Sequence, residues 1–219
     1  MEAVPYWMRF VVFLFAASIA LTPFLISSRK IGFGWLISLF WGAVSLFSIH
    51  LLQVPLQNFL TSAIVGSNIP MWARTAIVIF PSGLIQEIAK AVLPAILIAT
   101  KARLGTSSKL YGPAAGAGFG IAEAIWLVGL HPGAIGAVAI LERFFVIIFH
   151  TGLTALAVGG GKSKRIYWGL PAAIIIHAGL NYTAVSLIST IDIWSLEIII
   201  AAVSLAVWIV SIVISKTKD

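Results

Sequence analysis

Ionisable and amide side chains recur near the middle of four long apolar segments of this sequence. They are Glu87, Lys90, Glu123, His150, His177 and Asn181. Carboxylates and imidazoles can activate water as general bases, and together they can hold zinc with one position open for water. A charge at the centre of a membrane-spanning helix costs about 2.5–3.5 kcal/mol, so each one needs a partner, a water-filled cavity or a function. The set therefore predicts chemistry inside the bilayer.

The spacing of these residues pairs them on helix faces. In Gln86-Glu87-Ile88-Ala89-Lys90, the i to i+3 spacing places Glu87 and Lys90 on one face, where each charge can offset the other. His177 and Asn181 are four residues apart and also share a face. Both pairs have a structural interpretation too. The first could be a buried ion pair that fixes helix register, and the second an interhelical hydrogen-bonding pair.

Depth along the helices tests whether these residues belong together. At about 1.5 Å per residue, the five charged or imidazole groups lie roughly 15–20 Å from the ends of their segments that we predict to be cytoplasmic. They come from helices that run in alternate directions, so sequence position does not impose this agreement. We therefore predict one shared polar pocket among the four helices.

The elements that must position this pocket are membrane-spanning helices. Hydrophobic residues occupy 60% of 219 positions, charged residues occupy 10%, and the mean hydropathy is +1.07. Only helices and closed barrels can span lipid, and the apolar runs here have helix length without the alternation of barrel strands. The sequence predicts an all-α, polytopic transmembrane helical bundle, with a single domain at 1–219 and a catalytic core at 74–190. The seven predicted spans are 7–27, 33–57, 74–100, 112–130, 137–159, 167–190 and 194–215.

Basic residues are concentrated in alternate connections between these spans and at the C-terminus. They are Arg29, Lys30, Lys101, Arg103, Lys109, Lys162, Lys164, Arg165, Lys216 and Lys218. This is the positive-inside pattern, so we predict a cytoplasmic C-terminus and an external N-terminus, in the plasma membrane of a prokaryote. The net charge of +7 is then solvated charge beside the lipid bilayer, and no nucleic-acid partner is predicted. The first span lacks a charged leader and a small-residue cleavage site, so we expect it to be retained.

The residue types present exclude several intramembrane chemistries. The sequence has no cysteine, which removes thiolate nucleophiles and sulfur metal sites. An intramembrane aspartyl protease needs two aspartates within spans, whereas Asp192 lies near an outer loop and Asp219 at the terminus. The His-Glu-x-x-His motif of zincins is absent. Ser82 lacks the Gly-x-Ser setting of a rhomboid-type serine protease, and the last span lacks the central lysine of a retinal protein.

What remains is a glutamate and histidine site distributed over four helices. Glu123, His150 and His177 could hold zinc with an open position for water. Without metal, a glutamate and a histidine could activate water directly while Asn181 hydrogen-bonds the developing oxyanion. Arg143 lies seven residues before His150, on the same face, and is predicted to support it.

Other polar and small residues receive structural interpretations. Glu142 lies near the outer end of its span and is readily solvated, His50 has no ionisable neighbour, and His131 belongs to an outer turn. Gly112, Gly116 and Gly120 recur every four residues. Such a stripe lets another helix approach closely, either within the chain or as part of a protein partner.

The order of the polar motifs resembles that of a known superfamily. Glu-x-x-Lys at 87–90, Phe-x-x-x-Glu at 119–123, the lone His150 and His-x-x-x-Asn at 177–181 resemble the motifs of the CAAX-protease-like and PrsW superfamily of intramembrane metalloproteases. The segment 118–125 is most similar to the YhfC family of predicted membrane peptidases. The resemblance implies an intramembrane peptidase that hydrolyses a peptide bond in or near a membrane segment of a peptide or protein substrate. It also implies the residue roles: Glu87 would belong to the acidic pair of the first motif and Lys90 would take its basic position, while the cavity would be lined by Glu123, His150, His177 and Asn181.

One position departs from the family's pattern. The first motif usually has two adjacent glutamates, the first of which is expected to activate water, and here that position is Gln86. Glutamine cannot accept a proton, so either Glu87 or Glu123 serves as the base or this member has lost proteolysis. The superfamily also includes the non-catalytic scaffold subunit of γ-secretase, so a membrane scaffold is an alternative function. A transporter or proton relay that uses the same glutamates and histidines is a further alternative.

Overall fold

The computed structural model describes residues 4–28, 30–101, 104–131 and 135–216, and every regular element in those ranges is helical. The predicted all-α class is therefore confirmed. Arg29, Arg103, Lys218 and Asp219 lie outside the described residues. The helices are α1 (Tyr6–Ser27), α2 (Gly34–Ser45), α3 (Val54–Ile64), α4 (Met71–Ala99), α5 (Tyr111–Ala124), α6 (Ala137–Ala157), α7 (Ile166–Leu187) and α8 (Ile193–Lys216). Two π-helical segments, Ile49–Gln53 and Ile125–Gly129, precede α3 and follow α5.

Six helical stretches within these ranges are long and apolar enough to cross a membrane. They are Tyr6–Ser27, Gly34–Ile64, Met71–Ala99, Ala137–Ala157, Ile166–Leu187 and Ile193–Lys216. They indicate an integral membrane protein. The seventh predicted span, 112–130, corresponds to α5 and its π-helical continuation, so the count of seven spans stays a prediction, as does the side of the membrane on which each terminus lies.

The helix α5 faces protein on nearly every side. All of its residues except Ile121 and Ala122 are buried. Glycine and alanine dominate it because neighbouring backbones leave no room for larger side chains. An added Cβ on Gly118 would collide with the carbonyl oxygen of Leu39 in α2. A helix shielded in this way does not need a lipid-compatible surface.

The glycine stripe of α5 packs against α6 of the same chain. An added Cβ on Gly116 would collide with the carbonyl group of His150, and one on Gly120 would lie 3.0 Å from Cα of Ile147. On the same stripe, Gly112 faces Ala155. The close approach that the sequence predicts is therefore made inside the chain, and a partner at this face would have to displace α6. The contact brings the part of α5 that carries Glu123 against the part of α6 that carries His150.

The second predicted span is longer than expected because polar residues continue its helix. The helical stretch runs to Ile64 rather than ending at 57. The hydroxyl group of Thr61 donates to the carbonyl oxygen of Gln57 at 2.8 Å, and that of Ser62 donates to the carbonyl oxygen of Phe59 at 2.8 Å. These bonds satisfy polar side chains whose low hydropathy predicts the end of a span.

The basic connections meet at one end of the bundle, which we call the basic end. The backbone N–H of Ser107 donates to the carbonyl oxygen of Lys30 at 2.9 Å, which joins two basic connections. Gly161 approaches the backbone of Lys109, and Gly160 approaches that of Ser215. The four basic segments are thus neighbours, as the positive-inside pattern requires.

The opposite end holds two arginines that the charge pattern leaves unexplained. Arg9 is buried and donates to the carbonyl oxygens of Val4, Val128 and His131 at 2.9, 3.0 and 3.1 Å. Arg74 donates to the carbonyl oxygen of Ile69 at 2.7 Å and to that of Ser67. Each guanidinium therefore stabilises backbone carbonyls of a connection at this end.

Replacing Gly116 by alanine should destabilise the bundle. The added methyl group must push the α6 backbone at His150 outward, and overpacking of this kind costs about 1–3 kcal/mol. The matched control is Gly179→Ala in α7, where an added Cβ meets nothing within 4 Å. That change should be neutral or stabilising by up to about 1 kcal/mol because alanine is the better helix former. Unfolding of the purified protein in detergent, followed by tryptophan fluorescence, checks both; equal stability of the two variants would contradict the close contact.

Candidate functional site

An ion pair between neighbouring turns of α4 lies at the centre of the polar residues. The ammonium group of Lys90 donates to Oε1 of Glu87 at 2.6 Å, and both side chains have 0% exposure. The ammonium also lies 4.8 Å from the ring centre of Phe119. A buried charge is tolerated only when it is paired and hydrogen-bonded. The predicted pairing of the Glu87 and Lys90 charges is therefore present in the structure.

His150 is fixed in one tautomer by its two neighbours. The ammonium of Lys90 lies 2.9 Å from Nδ1 of His150 and can only donate, so Nδ1 must be the acceptor. The hydrogen then resides on Nε2, which donates to Oε2 of Glu123 at 3.2 Å. His150 is therefore neutral, and both of its ring nitrogens are already engaged.

His177 has one engaged nitrogen and one open nitrogen. Its Nδ1 donates to Oε1 of Glu87 at 2.6 Å. Its Nε2 has no hydrogen-bond partner among the described residues. The imidazole ring packs edge-on against Phe149, with 5.6 Å between the ring centres. The arrangement is that of a carboxylate that orients a histidine and leaves its second nitrogen free to accept a proton.

Arg143 extends the polar network towards the opposite end. Its Nη1 donates to Oε2 of Glu123 at 3.3 Å, and its Nη2 pairs with Glu142. The sequence predicts Arg143 as a supporting residue of His150, and the structure connects the two through the shared carboxylate of Glu123. Glu142 retains 30% exposure of its side chain.

A cavity of about 190 Å³ adjoins this network. Its polar lining consists of Gln86, Glu123, Glu142, Arg143, His150, His177 and Asn181. Its apolar lining comes from α6, α7, α8 and the π-helical end of α5, and includes Val146, Phe149, Leu180 and Ile200. Glu87 and Lys90 do not line it, because they lie behind the two histidines. Glu87 can therefore act on a bound molecule only through another side chain, and its direct partner in the lining is His177.

The residues predicted to share one depth do meet. Contacts of 2.6–3.2 Å join Glu87, Lys90, Glu123, His150 and His177 into one chain. Asn181 lies in the cavity lining but not in this chain, since its amide nitrogen donates to Oγ of Ser82 at 2.8 Å. The second hydrogen of that amide has no partner among the described residues.

Gln86 ends a relay of side-chain amides that the sequence did not reveal. Nε2 of Gln57 donates to the carbonyl oxygen of Val78 at 2.9 Å, and Nε2 of Gln53 donates to Oε1 of Gln57 at 3.3 Å. Nε2 of Gln86 donates in turn to Oε1 of Gln53 at 2.8 Å. Each amide therefore points its nitrogen away from the cavity, and Oε1 of Gln86 is left buried without a partner in the described chain.

Glu197 is a second feature that sequence reasoning missed. It lies in the first turns of α8, where it has only 5% exposure, and its Oε2 has no hydrogen-bond partner among the described residues. The available signal was a lone carboxylate near the start of the last apolar span. His50 and His131 lie outside the cavity, as expected. The ring of His50 packs edge-on against Trp126 at 4.5 Å, and the carbonyl group of His131 accepts from Tyr6.

One group in the described part of the chain could hold a metal ion. It consists of Glu87, His150 and His177, all buried, with ligand atoms within 4.8 Å of one another. The predicted ligand set had Glu123 in place of Glu87. The structure differs because Glu123 reaches His150 through Nε2, while Glu87 contacts His177 through Nδ1.

The donor set is of a kind that binds zinc, but Lys90 occupies part of it. The ammonium of Lys90 is bonded to Oε1 of Glu87 and to Nδ1 of His150, so it supplies a positive charge within the group. A metal ion bound to those two atoms would have to displace Lys90. The residues present therefore fit a metal ion through those two atoms only if Lys90 moves.

Comparison with protein-family models gives no match for this chain, and comparison with curated proteins gives none either.

Proposed function

We propose that this protein is an intramembrane peptidase in which His177 is the general base that activates water. The observation that carries this proposal is the geometry of His177: a buried carboxylate holds Nδ1 at 2.6 Å, and the ring lines a cavity with Nε2 unpaired. A histidine held in this way presents an open ring nitrogen that can accept a proton.

The reaction that this arrangement supports is hydrolysis of a peptide bond. A water molecule in the cavity gives a proton to Nε2 of His177 as its oxygen adds to the scissile carbonyl carbon. Glu87 stabilises the imidazolium that forms. The free amide hydrogen of Asn181 can stabilise the oxyanion. The imidazolium then gives its proton to the leaving nitrogen as the C–N bond breaks, and the products are a carboxylic acid and an amine.

This assignment chooses between the bases that the sequence left open. Glu87 does not line the cavity, and its Oε1 already accepts from Lys90 and His177. Glu123 does line the cavity, but its Oε2 accepts from both His150 and Arg143. A carboxylate oxygen that accepts two charged or polar donors is a weak base. We assign Glu87 to the positioning of His177, and Glu123 to the positioning of His150 and Arg143.

The Gln86→Glu variant distinguishes the proposed mechanism from the alternative that Gln86 has replaced a catalytic glutamate and proteolysis has been lost. If the cavity lacks activity because Gln86 replaced a catalytic glutamate, the variant should gain it. We expect the opposite, a slower cleavage rate, because the new carboxylate would face Oε1 of Gln53 with no donor between them and break the amide relay. The measurement is the initial rate of cleavage by the two proteins in proteoliposomes. Asn58→Asp, an exposed change on α3, is the matched control.

The experiment that tests the function uses the full chain in proteoliposomes that also contain a mixed membrane-protein extract. New peptide termini are mapped by mass spectrometry with the wild-type protein and with His177→Ala. We expect termini in or beside hydrophobic segments that depend on His177. Termini that appear equally with both proteins, or with neither, would refute the proposed activity.

A chelation arm of the same experiment tests the role of metal. Since the Lys90 ammonium already occupies the polar centre, we expect the rate to be unchanged by a zinc chelator and the purified protein to carry no stoichiometric zinc. Loss of activity on chelation, restored by zinc, would mean that an ion takes the place of Lys90 at Glu87, His150 and His177.

The alternatives that the sequence left open rest on the same residues. A proton relay would need titratable groups to continue from Glu87 to the basic end. In that half of the described bundle, the contact of α5 with α6 includes small residues such as Gly112 and Ala155. No observation favours a relay or a scaffold over hydrolysis.

A further inference from the structure

An apolar groove of about 370 Å³ lies at the end of the bundle opposite the basic end. It is formed by the last turn of α3, the start of α4 and the last turn of α7. Its apolar lining includes Ile64, Met71, Val78, Ile79 and Val185. Among the described residues, none lines both this groove and the polar cavity. A molecule bound in the groove is therefore separate from the site of the proposed function.

Arg74 is the charged side chain of this lining. Its Nε donates to the carbonyl oxygen of Ile69 at 2.7 Å, and its Nη2 donates to that of Ser67. A guanidinium has five N–H donors, so three of them have no partner among the described residues. Charged donors beside an apolar surface need acceptors, and anionic oxygens are the strongest.

No carboxylate in the described part of the chain pairs with this guanidinium. The helix α3, the connection 65–70 and the first turn of α4 contain no aspartate or glutamate. Asp192, which follows α7, accepts from the backbone N–H and the hydroxyl group of Ser195. The groove thus joins an apolar wall to an uncompensated positive charge. Its complement is a molecule with an apolar body and an anionic group at one end.

The depth of the groove favours a lipid over a membrane-spanning peptide. Its lining positions on α4 run from Met71 to Ile79, which is about 12 Å at 1.5 Å per residue. One leaflet of the hydrocarbon core is about 15 Å thick, and a spanning helix needs roughly 20 residues. The exposed Trp72 places the first turn of α4 at the level of the headgroups. The groove therefore covers a single leaflet, with its charge at the headgroup end.

We propose that this groove binds one phospholipid, with its phosphate on the guanidinium of Arg74 and an acyl chain along Val78, Ile79 and Val185. The planar guanidinium can donate two parallel hydrogen bonds to phosphate oxygens. The inference goes beyond the proposed function and does not depend on it.

Native mass spectrometry of the full chain in detergent measures this binding without any cleavage. The probes are dioctanoylphosphatidylcholine and dioctanoylglycerol, which have the same acyl chains and differ in the phosphate headgroup. We expect the phospholipid to saturate one site that the diacylglycerol occupies about tenfold more weakly, because it makes no charge-assisted hydrogen bond. Equal binding of the two probes would show an apolar groove only and would overturn the assignment.

Arg74→Gln should lower the affinity for the phospholipid about tenfold, to the level of the diacylglycerol. Its affinity for the diacylglycerol should not change. Lys101→Gln is the matched control, since it removes one exposed positive charge from the basic end and should leave this site intact. Equal weakening by the two variants would show a general effect of charge rather than contact with Arg74.

Val185→Trp tests the apolar part of the groove and keeps the test decisive if Arg74→Gln does not fold. Val185 is exposed, and the change leaves the hydrogen bonds of Arg74 in place. The indole would fill the path of the acyl chain, so binding of both probes should weaken about tenfold. Ile175→Trp, an exposed position of α7 outside the lining, is the matched control. Unchanged binding by Val185→Trp would refute the assignment.

An acidic protein segment is the other occupant that the charge of Arg74 could attract. A hydrophobic peptide with a terminal glutamate, and the same peptide with glutamine there, are added as competitors. Displacement of the phospholipid by either peptide would assign the groove to a protein segment, and displacement by neither supports the lipid.

The two proposals can fail separately. Cleavage that depends on His177, without an Arg74-dependent lipid site, would refute only the lipid assignment. Lipid binding without cleavage in proteoliposomes would refute only the peptidase.

Discussion

His177→Ala should lower the rate of cleavage by about 10²–10⁴-fold, the range expected when a general base is removed. The change takes away the only ring nitrogen of the described network that lines the cavity and is unpaired. Glu87 keeps its ion pair with Lys90, so the change should cost less stability than the loss of either charge. The measurement is the initial rate at saturating substrate, once a substrate has been mapped, together with the unfolding of both proteins.

Two controls separate a chemical role of His177 from a structural one. His50→Ala removes an exposed histidine that packs against Trp126, and it should leave the rate within about twofold of the wild type because exposed changes away from special features have small effects. Added imidazole should restore part of the rate of His177→Ala, since it can enter the space that the side chain vacates. A folded His177→Ala variant with wild-type rate would remove His177 from the mechanism.

The meeting of these residues could be predicted from the sequence because buried charge is expensive in lipid. Residues such as Glu123 and His150 stand out against apolar neighbours, and the rise per residue of a helix converts their positions into depth. Helix ends follow from the same contrast between apolar and polar residues. The helix α6 begins at Ala137, as predicted, and α7 begins at Ile166 rather than 167.

The pairing of atoms within the site could not be predicted, because it depends on the rotation of each helix about its own axis. The sequence cannot tell that Glu87 rather than Glu123 contacts His177, since both lie at a suitable depth. Those rotations are set by small residues such as Gly116 and by the π-helical turn that ends at Gln53. Insertion of a π turn changes which residues face the core.

Uncharged polar residues also leave too weak a signal. A glutamine carries no charge, so Gln53 and Gln57 do not mark a relay until their partners are known. The direction of these hydrogen bonds matters for function. Because each amide nitrogen donates to the next residue of the relay, the orientation of the Gln86 amide is fixed. Gln86, which departs from the expected motif, therefore has one defined orientation in the relay.

Lys90→Met should be the most destabilising single change in the network, at about 3–5 kcal/mol, the cost of breaking a buried ion pair by removal of one partner. Glu87 would keep its charge at 0% exposure with only His177 as a donor, and Nδ1 of His150 would lose its donor. Methionine has a similar length to the lysine stem, so the loss would come from charge rather than from volume. Unfolding of the protein by SDS in mixed micelles measures the change.

The double variant Glu87→Gln with Lys90→Met distinguishes the structural role of the pair from its catalytic role. Replacement of both partners of a buried ion pair is often neutral or stabilising, so most of the stability lost in Lys90→Met should return. Activity should not return, because a glutamine beside Nδ1 of His177 can hold the ring in the wrong tautomer, with its hydrogen on Nε2. A stable and fully active double variant would mean that the pair only holds the helices together. A stable and inactive one would mean that the charge of Glu87 is retained in the bilayer for the chemistry of His177.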